Sequence, residues 1–200
     1  MTDDKGGEVV CLACSVFKDA LDRLKELHHW TFDVYYFDSM LHMYPEKLAT
    51  GVFSRVHKEL SEGRKVVLLY GDCHPSISDL DKDKRFARVS GVNCYQVFFG
   101  KDRYRMMQRE GTFFLLPEWA TRWREVFRVH LGLEKESVAK AFMADFFKQI
   151  VYVDTGTAPF LSECVKEIEE FTGLPVRRLS IGLEYLYNGI TDALSRLEQY

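Results

Sequence analysis

Val66-Val67-Leu68-Leu69-Tyr70-Gly71-Asp72-Cys73-His74-Pro75 is the stretch around which the chain is organised. Residues 66–70 form an uninterrupted apolar and aromatic run, β-branched at its start, the pattern of a strand buried on both faces of a parallel sheet. Gly71 breaks the run, and a carboxylate, a thiol and an imidazole follow at once in Asp72, Cys73 and His74. In open α/β sheets ligands bind just beyond the carboxyl ends of the strands, which is where these three side chains are delivered. The same residues also read as a turn in which Asp72 caps backbone amides and Cys73 is merely small and buried. The rest of the chain has to decide between the two.

Toward the amino terminus, residues 8–14 read as a first buried strand. Cys14 sits at its carboxyl end, and Cys11 lies inside it as a core residue on the opposite face. A helix over residues 19–28 follows, with Phe17, Leu21, Leu24 and Leu27 at helical spacing. Residues 31–37 are β-branched and aromatic and read as the second strand. His42 then falls in a loop before a helix with Pro45 in its first turn.

Toward the carboxyl terminus, residues 75–88 contain a charged run that reads as a solvated excursion. Residues 91–100 carry Cys94 among bulky aromatics between two glycines, returning it toward the same sheet edge. A basic helix over 101–109 presents a solvated face. Further strands are expected at 112–116, 150–153 and 174–181. Helices are expected at 118–130, 136–149, 159–172 and 182–200, with Cys164 in the core beside Ile168 and Phe171. Strands alternating with helices imply an α/β fold with a three-layer, mostly parallel sheet of five to six strands. It is Rossmann-like without a dinucleotide fingerprint. Residues 1–7 read as a mobile tail and 8–200 as a single domain.

The composition narrows the function. With 46% hydrophobic residues in 200, the chain can bury a sizeable core, and a formal net charge of −3 gives no reason to expect nucleic acid as a partner. No run approaches the roughly 18 apolar residues of a membrane span, so a cytoplasmic protein with no membrane partner is expected. Five cysteines are an odd number in a chain large enough to fold without staples, which points to reduced thiols available for metal or catalysis. No Gly-x-Gly-x-x-Gly follows the first strand and no Gly-x-x-x-x-Gly-Lys-Ser/Thr occurs, which removes the usual supports for dinucleotide and P-loop nucleotide binding. A phosphotyrosine-type phosphatase needs an arginine six positions after its cysteine, and Asp79 stands there after Cys73. No Gly-x-Ser-x-Gly anchors a serine triad.

What survives is convergence. Cys14, His42 and Cys73 each follow one of the first three strands, and Cys94 lies in the next connection. In a parallel sheet those ends share one rim, so four ligands distant in sequence are expected to meet there. Three thiolates and an imidazole suit zinc, whereas three thiolates with an open corner suit a [4Fe-4S] cluster. Asp72 and Tyr95, beside Cys73 and Cys94, are the candidate cofactor contacts. His74 competes with His42 as a ligand, although adjacent residues seldom chelate one ion.

The pieces Leu-Ala-Cys, Leu-His-x-x-Pro-Glu, Leu-Tyr-Gly-Asp-Cys, Asn-Cys-Tyr-Gln-Val-Phe-Phe-Gly and Gly-Thr-Phe-Phe-Leu occur in that order. In them the chain resembles the family catalogued as domain of unknown function 1638. The family's cysteine and histidine motifs are similar to those at Cys14, His42, Cys73 and Cys94, and its usual glycine after the third-strand cysteine is His74 here. Members are often encoded near corrinoid-dependent methyltransferase systems, so the resemblance implies one-carbon metabolism and a corrinoid protein or methyltransferase as partner. Two functions follow as expectations. One is a metalloprotein serving corrinoid-linked methyl transfer. The other is a non-catalytic module docking a corrinoid or methyltransferase protein through Tyr95, Phe98 and Phe99 with Trp119 and Trp123.

Overall fold

The computed structural model describes residues 8–198, so the tail expected at 1–7 lies outside the described residues. The strands pair in parallel, as an α/β chain with helical crossovers requires. Strands β1 (Val9–Cys14), β2 (Asp33–Phe37), β3 (Lys65–Leu69) and β4 (Phe86–Arg88) form one sheet in the order β2-β1-β3-β4. Strands β5 (Thr112–Leu115), β6 (Gln149–Asp154) and β7 (Val176–Ser180) form a second in the order β5-β6-β7. The chain gathers into two compact units: one runs to Gly100 and resumes at Leu183, and the other spans Lys101–Gly182. The parallel α/β reading therefore stands. The expectation of one sheet with five to six strands gives way to seven strands in two sheets, within the described residues. Alternation of strands and helices specifies parallel pairing but carries no information about which strands share a sheet.

In the first unit β1 and β3 are the central strands, each paired on both sides. Val10, Cys11, Leu12 and Ala13 of β1 and Val66, Val67, Leu68 and Leu69 of β3 are at most 1% exposed. Burying each of the larger aliphatic side chains contributes roughly 1.5–3 kcal/mol, which is why these runs carry no polar alternation. Cys11 faces Val34 and Val67 across the two ladders and is core, as read from the sequence. The edge strand β2 alternates exposed and covered residues instead.

Helix α1 (Lys18–His28) connects β1 to β2, and α2 (Pro45–Ser61) carries the chain back over β1 to β3. β2 and β3 lie on opposite sides of β1, so right-handed crossovers place the two helices on opposite faces of the sheet. The loops leaving β1 and β3 diverge, and the crevice between their carboxyl ends is the topological switch point. Helix α3 (Cys94–Phe99) follows β4, and α8 (Glu184–Glu198), after the excursion through the second unit, packs on β3, β4 and α3.

The second unit contains α4 (Lys101–Arg109), α5 (Pro117–Thr121), α6 (Glu136–Phe146) and α7 (Ser162–Thr172). The helix expected over 118–130 is broken: α5 ends at Thr121, and Glu125–His130 form a π-helical turn. Cys164, in the first turn of α7, is half-buried and not in the core, because the apolar stripe of that helix runs through Val165, Ile168 and Phe171. The 75–88 excursion also differs from its reading. A 3-10 helix at Pro75–Lys82 leads into β4, a three-residue edge strand that ends in Arg88 and is too short for periodicity to reveal.

Candidate thiol site at the switch point

Each loop at the rim of the first sheet is tied to a neighbour. Beyond β1, the Ser15 Oγ accepts a hydrogen bond from the Ser39 amide at 2.9 Å, which fastens the β1 loop to the β2 loop. The Asp38 carboxylate accepts from the Met40 amide and opens the 3-10 turn Ser39–Met43 that carries His42. The His42 Nδ1 lies 2.5 Å from the Ser39 carbonyl. A carbonyl only accepts, so Nδ1 bears the proton and the lone pair is on Nε2, the tautomer and orienting bond that metal-ligating histidines adopt.

The β3 and β4 loops are joined through Gly71. A Cβ at this position would stand 2.6 Å from the Asn93 Cα and about 3.0 Å from its carbonyl carbon, so only glycine admits the Asn93 backbone there. The Asp72 amide donates to the Gly91 carbonyl and the Cys73 amide to the Gly71 carbonyl. Asn93 caps α3 by accepting from the Gln96 amide at 3.0 Å. Cys94 is therefore the first residue of a short helix, where the sequence suggested a loop, and its sulfur receives its own backbone amide and that of Tyr95.

Between these two pairs of loops stands Tyr70, just past the end of β3. Its ring is edge-on to Phe37, with centroids 6.4 Å apart. Its hydroxyl is buried without a hydrogen-bond partner of normal geometry. Burial raises the pKa of that hydroxyl most, and the Cys14 thiol, followed by Cys73 and Cys94, raises it further. Burial likewise holds Cys94 well above the ordinary thiol value, with Cys14 and Cys73 adding to the rise against the lowering effect of the two amides. Cys73 is pushed up to about 11 by burial and by the Asp72 carboxylate. Cys14 and Cys73 thus act on Cys94, and all three act on one buried hydroxyl. Cys11, inside β1, is pushed up to about 12 by burial.

In kind, this donor set suits a soft cation, because each thiol disfavours ionisation of the others until a positive charge is added. The side chains are not preset as a cage, since among the described residues no group of three or more His, Cys, Asp or Glu is arranged to hold a metal ion.

The remaining predicted residues separate by role. The His74 Nδ1 accepts from the Ser76 amide at 3.2 Å and caps the Pro75–Lys82 turn. Its lone pair is therefore engaged in the fold and its proton lies on Nε2. Asp72 forms an ion pair with Arg88 while also acting on the neighbouring Cys73 thiol. Tyr95 is half-buried in the first turn of α3. Phe98, Phe99 and Trp123 are buried, and the Trp123 Nε1 donates to Glu167, so they are core and not the exposed anchors a docking surface needs. Tyr70 is the residue that sequence reasoning passed over. A hydroxyl-tipped aromatic closing an otherwise aliphatic run was the available signal.

No curated protein and no solved structure matches the chain. The model of the family described as "Protein of unknown function (DUF1638)" matches residues 36–190. That span takes in His42, Cys73 and Cys94 and leaves β1 with Cys14 outside it. With more than half of its residues matched in one span, the chain belongs to the DUF1638 family.

Proposed function

We propose that the protein binds a metal through Cys14, Cys73 and Cys94 at the switch point, with His42 as a fourth ligand. The centre is zinc, or a [4Fe-4S] cluster held by the three cysteines alone, and it serves corrinoid-dependent methyl transfer or one-carbon metabolism. One observation carries the reading: the thiols at the end of β1, in the β3 loop and at the start of α3 lie close enough that Cys14 and Cys73 act on Cys94 and all three act on the buried Tyr70 hydroxyl. Such a centre, when bound, supplies Lewis-acid activation of a thiol or methyl acceptor, or electrons that keep a corrinoid reduced.

The chain's own part is legible in its geometry. Gly71 brings the Asn93 backbone, and with it the start of α3 at Cys94, against the β3 loop that carries Cys73. The Ser15–Ser39 bond holds the His42 turn to the Cys14 loop, and the Ser39 carbonyl fixes the imidazole tautomer. The raised thiol pKa values mean that the cysteines bind as thiolates only by releasing their protons. The link to corrinoid chemistry rests on family resemblance alone.

Elemental analysis of protein purified under anaerobic conditions, together with its ultraviolet-visible spectrum, tests the proposal. About one zinc per chain, or about four irons with broad visible absorption, supports it. Protein that holds neither metal after purification, and takes up neither on reconstitution with zinc or with iron and sulfide, refutes it.

A further inference from the structure

The carboxyl end of β4 borders a cleft of about 490 Å³ whose walls include Asp72, Asp81, Phe86, Arg88, Ser90 and Arg196. That volume is in the range of small-molecule sites. The four charged side chains cancel formally, but they are not mixed. The Arg88 guanidinium is held between the Asp72 and Asp81 carboxylates, so those three groups together carry an excess negative charge. Arg196 reaches the cleft separately from α8, with its Nη2 donating to the Arg88 carbonyl at 2.7 Å and its Nε 3.3 Å from Asp192.

The side chains that line the wall are thus neutral in sum, with a negative pole at Asp72 and Asp81 and a positive pole at Arg196, which Asp192 outside the cleft offsets in part. A plain anion fits the guanidinium but meets the carboxylates, and a plain cation meets the reverse. Only a ligand with both charges, set a few ångströms apart, complements both poles. The ion pairs already present, Arg196–Asp192 among them, are partly exposed and hold weakly, so a ligand exchanges with them at little cost. Asp72 also directly precedes Cys73, and the Gly91 carbonyl on the cleft wall accepts from the Asp72 amide, so a bound molecule lies next to the thiol rim.

We propose that this cleft binds a small zwitterion of the amino-acid type, with its ammonium group toward Asp72 and its carboxylate on Arg196. The inference goes beyond the metal site and stands without it. Calorimetric titration of the full chain with L-glutamine, and separately with acetate and with ethylammonium, tests it. Saturable binding of L-glutamine is expected, at least about tenfold tighter than either single-charge probe, because two charge-assisted contacts form where each probe makes one. Asp72→Asn and Arg196→Gln are each expected to weaken it about tenfold or more by removing one such contact. Arg196 is at the surface, so the second variant carries the test if the first fails to fold.

No saturable binding of L-glutamine, equal binding of acetate or ethylammonium, or full affinity in Arg196→Gln overturns the proposal. Metal content measured on the same samples separates the two sites. Binding to protein that neither contains nor accepts metal sinks the metal reading and leaves the cleft, and metal without binding does the reverse.

Discussion

The two units use the same alternation of parallel strands and helices, yet the edges of their sheets are built differently. In the first, the order β2-β1-β3-β4 reverses direction at β1, so successive crossovers go to opposite faces and the loops after β1 and β3 part. In the second, the order β5-β6-β7 never reverses, and right-handed crossovers keep the connections on one face with no crevice between strand ends. The contents follow the topology. The first rim collects Cys14, Cys73, Cys94 and the buried Tyr70 hydroxyl. The equivalent position at the end of β6 is Asp154, a buried carboxylate consumed by an ion pair with Arg178 at 2.6 Å and by the Gly156 amide at 2.9 Å. Polar groups at a strand end become a site only where the strand order leaves them room.

The largest expected effect is on metal content. Cys14→Ser, Cys73→Ser and Cys94→Ser should each abolish stoichiometric metal, whereas Cys164→Ser in the second unit should leave it unchanged. Cys11→Ser separates burial from ligation within the first unit. Placing a hydroxyl among β1, β2 and β3 should cost about 1–3 kcal/mol in denaturant unfolding and leave metal in place. Loss of metal from Cys11→Ser would show that the wrong thiol of the first strand had been assigned to the rim.

Glycine substitutions compare the two rims next. Gly71→Ala drives a methyl group into the Asn93 backbone, which has nowhere to retreat without moving Cys94. It should cost about 1–3 kcal/mol or more and weaken metal binding with it. Gly156→Ala after β6 meets nothing within 4 Å, and its φ of +69° leaves only the left-handed backbone penalty of about 1–2 kcal/mol. Its metal content should be that of the wild type. Equal metal loss in both variants would mean that general destabilisation, and not the geometry of the rim, governs binding.

His42→Ala is the smaller test of the same rim. If zinc is the native metal, the substitution should lower its affinity about tenfold or more, as loss of a ligand or its support commonly does. An iron-sulfur spectrum unchanged in His42→Ala would select the cluster, with one iron left open.

The smallest effect is in pH. In metal-free protein, burial raises Cys73 to about 11 and Cys11 to about 12 from an ordinary value of 9.0. A raised folded-state pKa means that the native state keeps protons the unfolded chain gives up, so this stabilisation is intact below pH 9 and is lost as pH rises through the folded values. Tyr152 in the second unit, raised to about 12 from 10.0, begins to act a unit later. Denaturant midpoints should therefore start to fall near pH 9, and the onset should move toward pH 10 once the thiols Cys11, Cys73 and Cys94, the last also held well above 9.0, are all replaced by alanine. Identical onsets in the two proteins would contradict the burial assigned to these thiols.

Much of this was legible before the structure because burial writes itself into sequence. The runs at Val66–Leu69 and Val10–Ala13 carry no polar alternation, and each ends in a residue that can do chemistry. Periodicity therefore located the strands and put Cys14 and Cys73 at their ends. It missed β4, whose three residues Phe86, Ala87 and Arg88 are fewer than any period needs, and it could not divide seven strands between two sheets. His74 was ambiguous because a capping imidazole and a ligand look alike until the Ser76 amide is seen to occupy Nδ1. Tyr70 went unnoticed because its ring reads as core, and only the position of its hydroxyl among three thiols marks it.

The central claim is that the switch-point thiols share one metal, and X-ray absorption fine structure at the metal edge tests it most directly. Zinc-loaded wild-type protein should show three sulfur scatterers near 2.3 Å and one nitrogen near 2.0–2.1 Å. One sulfur should be lost in Cys94→Ser, if that variant retains any zinc. Iron-loaded protein should show a sulfur shell with an iron neighbour. A first shell of nitrogen and oxygen alone, in protein that binds metal stoichiometrically, would place the metal elsewhere and contradict the account.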